Sequence, residues 1–441
     1  MHRVGFGDCF LLTLGYPAPL DDGRDERHLL IDFGTMSSAG VPSAETAAAI
    51  SERTGGQLDV VVMSHRHRDH VSGFASAANA AALTATRPPS LVVRPWTEDP
   101  DADANFTGVD GGPGAESRAF LRELGTARAF ADGLANEVTR RSASGLHREL
   151  RTVAMLQLAN EAAVDQLHAW AGADAGEYLH YGKPSRIGKI VPGLTVHVLG
   201  PPTIEQHSEV ATQRQDDPDE FWMLYRQLAD QLPLQTLHLL GGRDAAARSA
   251  PSIATDAGGA IDPGPVRWIT ERLDRQELAS SLRLVRLMDE VLNNTSLILV
   301  FELEGPAGQR RLLFPGDAQI ENWEYALKIV DVAENRALLD RIDLYKVGHH
   351  GSRNATPRSL FELWGDPSPR AFPMASLLST KHGVHGHHVE TAVPRETLVA
   401  ALDARTTLLS SDEIEAPWVE VGVDLNSADP FAETARAAPS G

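Results

Sequence analysis

Residues 65–70 read His65-Arg66-His67-Arg68-Asp69-His70. Three imidazoles and a carboxylate within six residues are ligands for a borderline cation such as Zn²⁺. His65 and His67 are two apart, so on an extended segment both rings leave the same side and can grip one ion. Asp69 and His70 follow where the chain should turn into a helix, residues 69–80, which aims them at a second position nearby. Three more apolar runs end in chemistry-bearing groups: Phe314-Pro315-Gly316-Asp317, Lys346-Val347-Gly348-His349-His350-Gly351-Ser352, and Ser379-Thr380-Lys381-His382-Gly383-Val384-His385-Gly386-His387-His388. Asn293-Asn294-Thr295-Ser296 opens the run that pairs toward Asp317. Nine of the 17 His lie in the three His-bearing stretches, a clustering that scattered surface His would not give.

These groups need rigid elements behind them. The apolar, β-branched run 58–63 reads as a buried strand that stops at the first His cluster. Residues 4–14 give a glycine-rich turn, Gly5-Phe6-Gly7-Asp8, running into a strand; residues 28–33 give a second, ending in Asp32-Phe33-Gly34, and the two form a hairpin. A helix over 44–53 and a strand over 90–96 follow. Residues 97–189 change character to polar loops and Ala/Leu/Arg-rich helical spacing, a helical insertion. A strand over 194–199 precedes a second insertion, 203–290. That one holds an acidic run, an aromatic helix (221–232, with Phe221-Trp222-Met223-Leu224-Tyr225) and a stretch of flexible-loop composition, 241–265. Strands over 295–302 and 311–314, joined by Gly305-Pro306-Ala307-Gly308, lead to a helix (320–332), a strand (342–347), a helix and a strand (375–378). Alternating strand and helix means α/β, here one domain over 1–425 interrupted by the two insertions, with a frayed tail over 427–441.

The chain has 441 residues, 42% of them apolar, enough for a large core. Its formal net charge of −20 opposes binding to a bare phosphate backbone. No apolar run reaches the length of a membrane span, and the start of the chain lacks the basic-then-apolar pattern of a leader. Cys9, the single cysteine, has no intrachain partner, which suits a reducing compartment. The expectation is a cytoplasmic protein with no membrane partner.

His65-x-His67-x-Asp69-His70 followed by Val71-Ser72-Gly73 resembles the signature of the metallo-β-lactamase fold superfamily. The order of Val4-Gly5-Phe6-Gly7-Asp8, Leu30-Ile31-Asp32-Phe33-Gly34, the His65 motif, Asn293-Asn294-Thr295-Ser296, Leu313-Phe314-Pro315-Gly316-Asp317 and His349-His350-Gly351-Ser352 is similar to one branch. That branch holds the hydrolase domains of the competence proteins ComEC/Rec2 and phosphodiesterases such as phosphorylcholine esterases. The match spans roughly 1–95, 190–202 and 290–425 and leaves out both insertions. The resemblance implies an αββα sandwich with two zinc ions, or manganese, in a groove at the strand ends. By it, His65 and His67 hold metal 1, Asp69, His70 and His350 hold metal 2, and Asp317 bridges the two. The superfamily's third His on metal 1 is missing, and Asn293 stands there as a weak ligand or as a plain strand-start cap. Between two such ions a water becomes a hydroxide that attacks phosphorus, oriented by Asp69. His349 contacts substrate, protonates the leaving group or simply packs. His387 matches a late family His, in a register shared with His385 and His388. Asp32, and less directly Asp8, would support a ligand His, and Ser352 lies beside them. Lys346 and Lys381 read as solvated lysines, His382 and His385 as loop His.

The resulting expectation is a dinuclear metallo-hydrolase, a phosphodiesterase or nuclease. Its substrate would be a small phosphodiester, a nucleotide, or nucleic acid delivered by a partner. The alternatives are a carbon-ester (lactone or thioester) hydrolase on the same site, and a non-catalytic module whose metals stabilise the fold while the helical insertions dock a partner protein.

Overall fold

The computed structural model describes residues 1–36, 40–108, 114–126, 160–211, 291–352, 354, 356–365, 374–384, 393–431 and 436–437. The chain divides into two compact units, Met1–Asp99 with Asn160–Thr203 and Asn293–Gly441, and Pro100–Ala159 with Ile204–Leu292.

The first unit is mixed α/β. Its first sheet runs β1 (Cys9–Gly15), β2 (Glu26–Phe33), β3 (Val60–Val62), β4 (Leu91–Pro95), β5 (Gly176–Leu179). β1 and β2 are an antiparallel hairpin, and β2 to β5 are parallel. The second sheet runs β6 (Leu194–Gly200), β7 (Ile298–Gly305), β8 (Gly308–Phe314), β9 (Leu344–Lys346), β10 (Met374–Leu378), β11 (Thr406–Ser410). It is antiparallel from β6 to β8 and parallel from β8 to β11.

Successive side chains of a strand face opposite ways, so an unbroken apolar run feeds two cores. Val60 and Val62 join one apolar group that also takes Leu299, Phe301 and Phe314 from the second sheet. Val61 joins another, with Ile50 of the helix Ser43–Thr54 and Leu167 of the helix Glu161–Ala171. On the second sheet Ile298 and Val300 pack with Trp323, Leu339, Leu360 and Leu402 from four helical segments.

Several boundaries differ from the sequence reading. The expected helix over 69–80 is three pieces: an α-turn Arg68–Val71, a 3₁₀ turn Ser72–Ala75 and a helix Ala77–Leu83. Ser76 is extended, and its hydroxyl accepts the Asn79 amide, which starts the last piece anew. The first insertion does not reach residue 189. Asn160–Thr203 belongs to the first unit, where Glu161–Ala171 packs on the first sheet and β5 pairs with β4. The helix read over 320–332 widens into a π-turn at Tyr325–Ile329, and Asp331, at φ 44°, separates it from Val332–Leu339. The tail is held where it is described: Arg310 donates to the Ser427 carbonyl, and Arg436–Ala437 (β13) pairs with Val419–Glu420 (β12). The aromatic helix and the flexible stretch of the second insertion lie outside the described residues.

In the second unit the described residues include a short helix, Ala102–Asn105, helical residues 115–126 and a 3₁₀ turn, Ser208–Ala211. Ser117 ties them locally: its hydroxyl donates to Glu205 and accepts from the Ile204 amide. No helix among the described residues is long and apolar enough to cross a membrane.

One buried group away from the strand ends carries a pH consequence. His28 on β2 is 3% exposed, and its ring shares a 3.0 Å hydrogen bond with Thr13 Oγ1. Burial lowers its pKa from 6.5 to about 4, against the pull of Glu26 and Asp59 and with Arg53 and Arg24 close by. A depressed histidine pKa means that the unfolded chain takes up the proton first. The contribution is therefore complete above pH 6.5 and is lost as pH falls toward 4. On the order of 2–3 kcal/mol should disappear across that window. In His28→Gln, urea midpoints measured between pH 7 and 4 should fall less steeply than in wild type.

Candidate metal centre

The parallel register of β2 with β3 in the first sheet, and of β8 with β9 and β10 in the second, brings the carboxyl ends of these strands to one edge of each sheet, the usual place for a site in α/β folds. Asp32 is the penultimate residue of β2; Ser64 and His65 follow β3; Asp317 follows β8; His349 and His350 follow β9; Ser379 follows β10. Four non-glycine residues among those described have positive φ, and three are here: Asp32 (55°), His349 (42°) and His350 (52°). Each costs about 1 kcal/mol or more and persists only because the surroundings hold it.

Close backbone approach explains two glycines. The Asp8 amide donates to the Asp69 carbonyl, and the Gly34 amide to that of Asp8, so the Gly7 and Gly34 turns lie directly on the ligand segment. A Cβ on Gly34 would sit 2.4 Å from both the Asp69 carbonyl carbon and the His70 nitrogen. Gly34→Ala should therefore cost about 3 kcal/mol and shift His70, read as a lower denaturation midpoint together with weakened metal affinity.

Asp69, His70, Asp317 and His350 are buried, and each offers one ligand atom within 4.8 Å of the others. His70 Nε2 is 3.1 Å and His350 Nε2 3.5 Å from Asp317 Oδ2, and His350 Nε2 is 3.0 Å from Asp69 Oδ2. The opposite ring nitrogens are pinned. His70 Nδ1 meets Asp32 Oδ2 at 2.8 Å, and His350 Nδ1 donates to the Ser379 carbonyl at 2.9 Å, so both Nε2 atoms turn inward. Ser64 anchors Asp32 twice, through its amide at 2.8 Å and its hydroxyl at 2.6 Å. His65 Nδ1 lies 3.1 Å from the same hydroxyl, and His65 Nε2 faces His67 Nδ1 at 2.9 Å.

Electrostatics separate the imidazoles. Burial would discharge His70, but Asp317, Asp32, Asp69 and Asp8 outweigh it and hold its pKa well above the usual range; His350 is raised in the same way by Asp317, Asp8 and Asp69. Burial would raise the carboxyls, yet His70 and His350 hold Asp317 and Asp69 well below the usual carboxylate range. Burial pushes His65 well down and His67 to about 4, so both are neutral at pH 7.

The donor set fits a divalent cation: two imidazole nitrogens and two carboxylate oxygens, buried together and aimed by outer hydrogen bonds. A second grouping, Asp8, Asp32 and His70 Nδ1, has other partners already. Lys346 forms an ion pair with Asp8, while Ser64 and His70 fill Asp32.

No family model, curated protein or solved structure matches this chain.

The remaining site residues divide. His349 is 26% exposed at its side chain; its amide donates to Asp317 Oδ1 at 3.1 Å, and its Nε2 is 4.0 Å from Oδ2. Asn293 is buried, and its Oδ1 accepts no hydrogen bond among the described residues. Ser352 turns its hydroxyl to Asn354 instead of to a ligand. His385, His387 and His388 lie outside the described residues. Lys381 and His382 share Asp412 on a more open loop. Lys346 is not solvated: it is 2% exposed and bound to Asp8, Asp317 and the Gly316 carbonyl. Ser64, Lys346 and Ser379 were missed as site residues. For Lys346 a signal existed, since Leu344 faces the core between the sheets and Tyr345 the helices, and alternation turns the next side chain inward.

Proposed function

We propose that this protein is a metal-dependent hydrolase of phosphodiesters on an αββα metallo-β-lactamase fold. The observation that carries the reading is the buried group of Asp69, His70, Asp317 and His350, drawn from the strand ends of both sheets. One core shared by the sheets and two more under flanking helices support the layered fold. A divalent ion on these four residues, zinc first and manganese second, would polarise a phosphoryl oxygen and lower the pKa of water. His65 and His67 are the pair that the resemblance gives to a second ion.

The chain's own groups do the rest. Asp32 and the Ser379 carbonyl hold His70 and His350 in the tautomer that presents Nε2. His349, the partly exposed member of its pair, would donate a proton to a departing alkoxide. The net charge of −20 favours a small phosphodiester or nucleotide, or nucleic acid presented by a partner, over long bare nucleic acid. A cytoplasmic setting is part of this proposal, since a single cysteine suits a reducing compartment.

The test is turnover of bis-p-nitrophenyl phosphate, nucleotides and short single strands, alongside a lactone and thioester panel, with metal content measured on the same samples. Chelator should abolish turnover and lower the melting temperature. Zinc at a thousandfold excess over its Kd should restore about 4 kcal/mol of stability. Hydrolysis of carbon esters alone would replace the phosphodiester reading, and metal-dependent melting without any turnover would replace the enzyme by a metal-stabilised binding module.

A further inference from the structure

We propose that the buried ion pair of Lys346 with Asp8 is a clamp across the two sheets that holds the metal donors at their spacing. Both are then positioning residues for the centre. This role rests on the metal-centre reading and is the same whichever ester is cleaved.

The four donors come from both sheets. Asp69 and His70 follow β3 of the first, and Asp317 and His350 follow β8 and β9 of the second. His70 meets Asp317, and His350 meets Asp69, through the same atoms that a cation would engage. Those contacts give way when the ion enters, so a cradle held ready for it needs a tie that lies behind the ligand atoms.

Lys346 and Asp8 supply that tie. Lys346 is the last residue of β9 in the second sheet, and Asp8 directly precedes β1 in the first. On its own side, Lys346 Nζ donates to the Gly316 carbonyl at 3.0 Å and lies 3.4 Å from Asp317 Oδ1. Across the gap it forms an ion pair with Asp8 Oδ2. The Asp8 amide in turn donates to the Asp69 carbonyl at 2.8 Å. Its carboxylate oxygens lie 3.6 Å from His70 Nδ1 and 3.6 Å from His350 Nδ1, on the side of each ring away from the cradle. One ion pair thus touches all four donor residues without using the ligand atoms of the imidazoles.

The bland alternative is a pair that only stabilises the core. A buried pair is a poor device for that, since apolar residues of similar volume often do as well or better. Two other contacts join the sheets nearby, the Leu297 amide on the Ser64 carbonyl and the Ser379 hydroxyl on the Gly7 carbonyl. Neither reaches the side chain of a donor. The Lys346 pair does, at Asp317.

Zinc affinity separates the two roles, provided the charge is kept constant. An ammonium beside a cation centre repels the ion, so Lys346→Met alone mixes lost positioning with relieved repulsion. Asp8→Asn with Lys346→Met removes one charge of each sign and leaves the net charge unchanged. Zinc affinity is measured for wild type and this double variant by competition with a chromophoric chelator, with cobalt absorption reporting the coordination geometry and urea denaturation in chelator reporting the fold. The double variant should bind zinc about 10–100-fold more weakly than wild type and shift the cobalt bands, even where its stability recovers. Zinc affinity within about threefold of wild type, with unshifted cobalt bands, overturns the clamp. Should the double variant fail to fold, Asp8→Glu keeps every charge and displaces only the carboxylate; it too should weaken zinc at least ~10-fold, and unchanged affinity there overturns the clamp as well. Wild type that binds no zinc overturns both this role and the metal-centre reading. Wild type that binds zinc but cleaves no ester removes the hydrolase alone, and the affinities still decide the clamp.

Discussion

Asp317→Asn should lose phosphodiester turnover by at least ~10³-fold in kcat/KM and bind zinc at least ~100-fold more weakly. The substitution keeps volume and shape, so it tests charge and donor chemistry more than packing. Asp317 is where the centre converges: Oδ2 faces both inward imidazole nitrogens, and Oδ1 takes Lys346 and the His349 amide. An amide supplies one weak oxygen ligand, and its NH₂ would be forced against either the imidazoles or the ammonium. The variant should also melt lower even in chelator, because four groups lose their common acceptor. Metal content, steady-state kinetics and a melting curve on one preparation suffice. Turnover within tenfold of wild type, at full metal loading, would mean that the chemistry happens elsewhere.

Lys346→Met is the second large effect, and here the readout is stability. Removing one partner of a buried ion pair leaves the other charge uncompensated, at a cost of about 3–5 kcal/mol. Lys346 is 2% exposed and Asp8 is fully buried, so water cannot take over. Asp8→Asn in the Lys346→Met background should recover part of the loss, since neutralising both sides removes the penalty that either change creates alone. Recovery should stay incomplete because Asp317 Oδ1 also loses its ammonium contact. Urea denaturation of the two single variants and the double variant, all in chelator, gives the coupling. A Lys346→Met unfolding free energy within about 1 kcal/mol of wild type, or strict additivity in the double variant, would show that the lysine reaches solvent.

The centre's ingredients were legible because they are local. His65, His67, Asp69 and His70 lie on one short segment at the end of an apolar run, and Asp317, His349 and His350 each follow another such run. Ligand type and spacing survive without any knowledge of the fold, and so does the alternation of strand and helix. Element edges were less legible. The helix after His70 breaks because Ser76 takes the Asn79 amide, and Gly73 lies so near the Phe33 ring that a Cβ would be 2.5 Å away. β5 has two buried positions in four residues, too few to announce a strand, and it exists because the β4 edge supplies its partners.

What the sequence determined by itself was a set of side chains able to ligate a metal, an α/β framework and a net charge of −20. Only the tertiary structure decided which groups meet. Asp69 and His350, 281 residues apart, come to 3.0 Å because parallel strands end together. Lys346 changes from a solvated charge into a buried one because its register faces inward and two distant aspartates await it. Local spacing encodes what a side chain can donate; burial, partner and protonation state are set by residues that the chain brings in from far away.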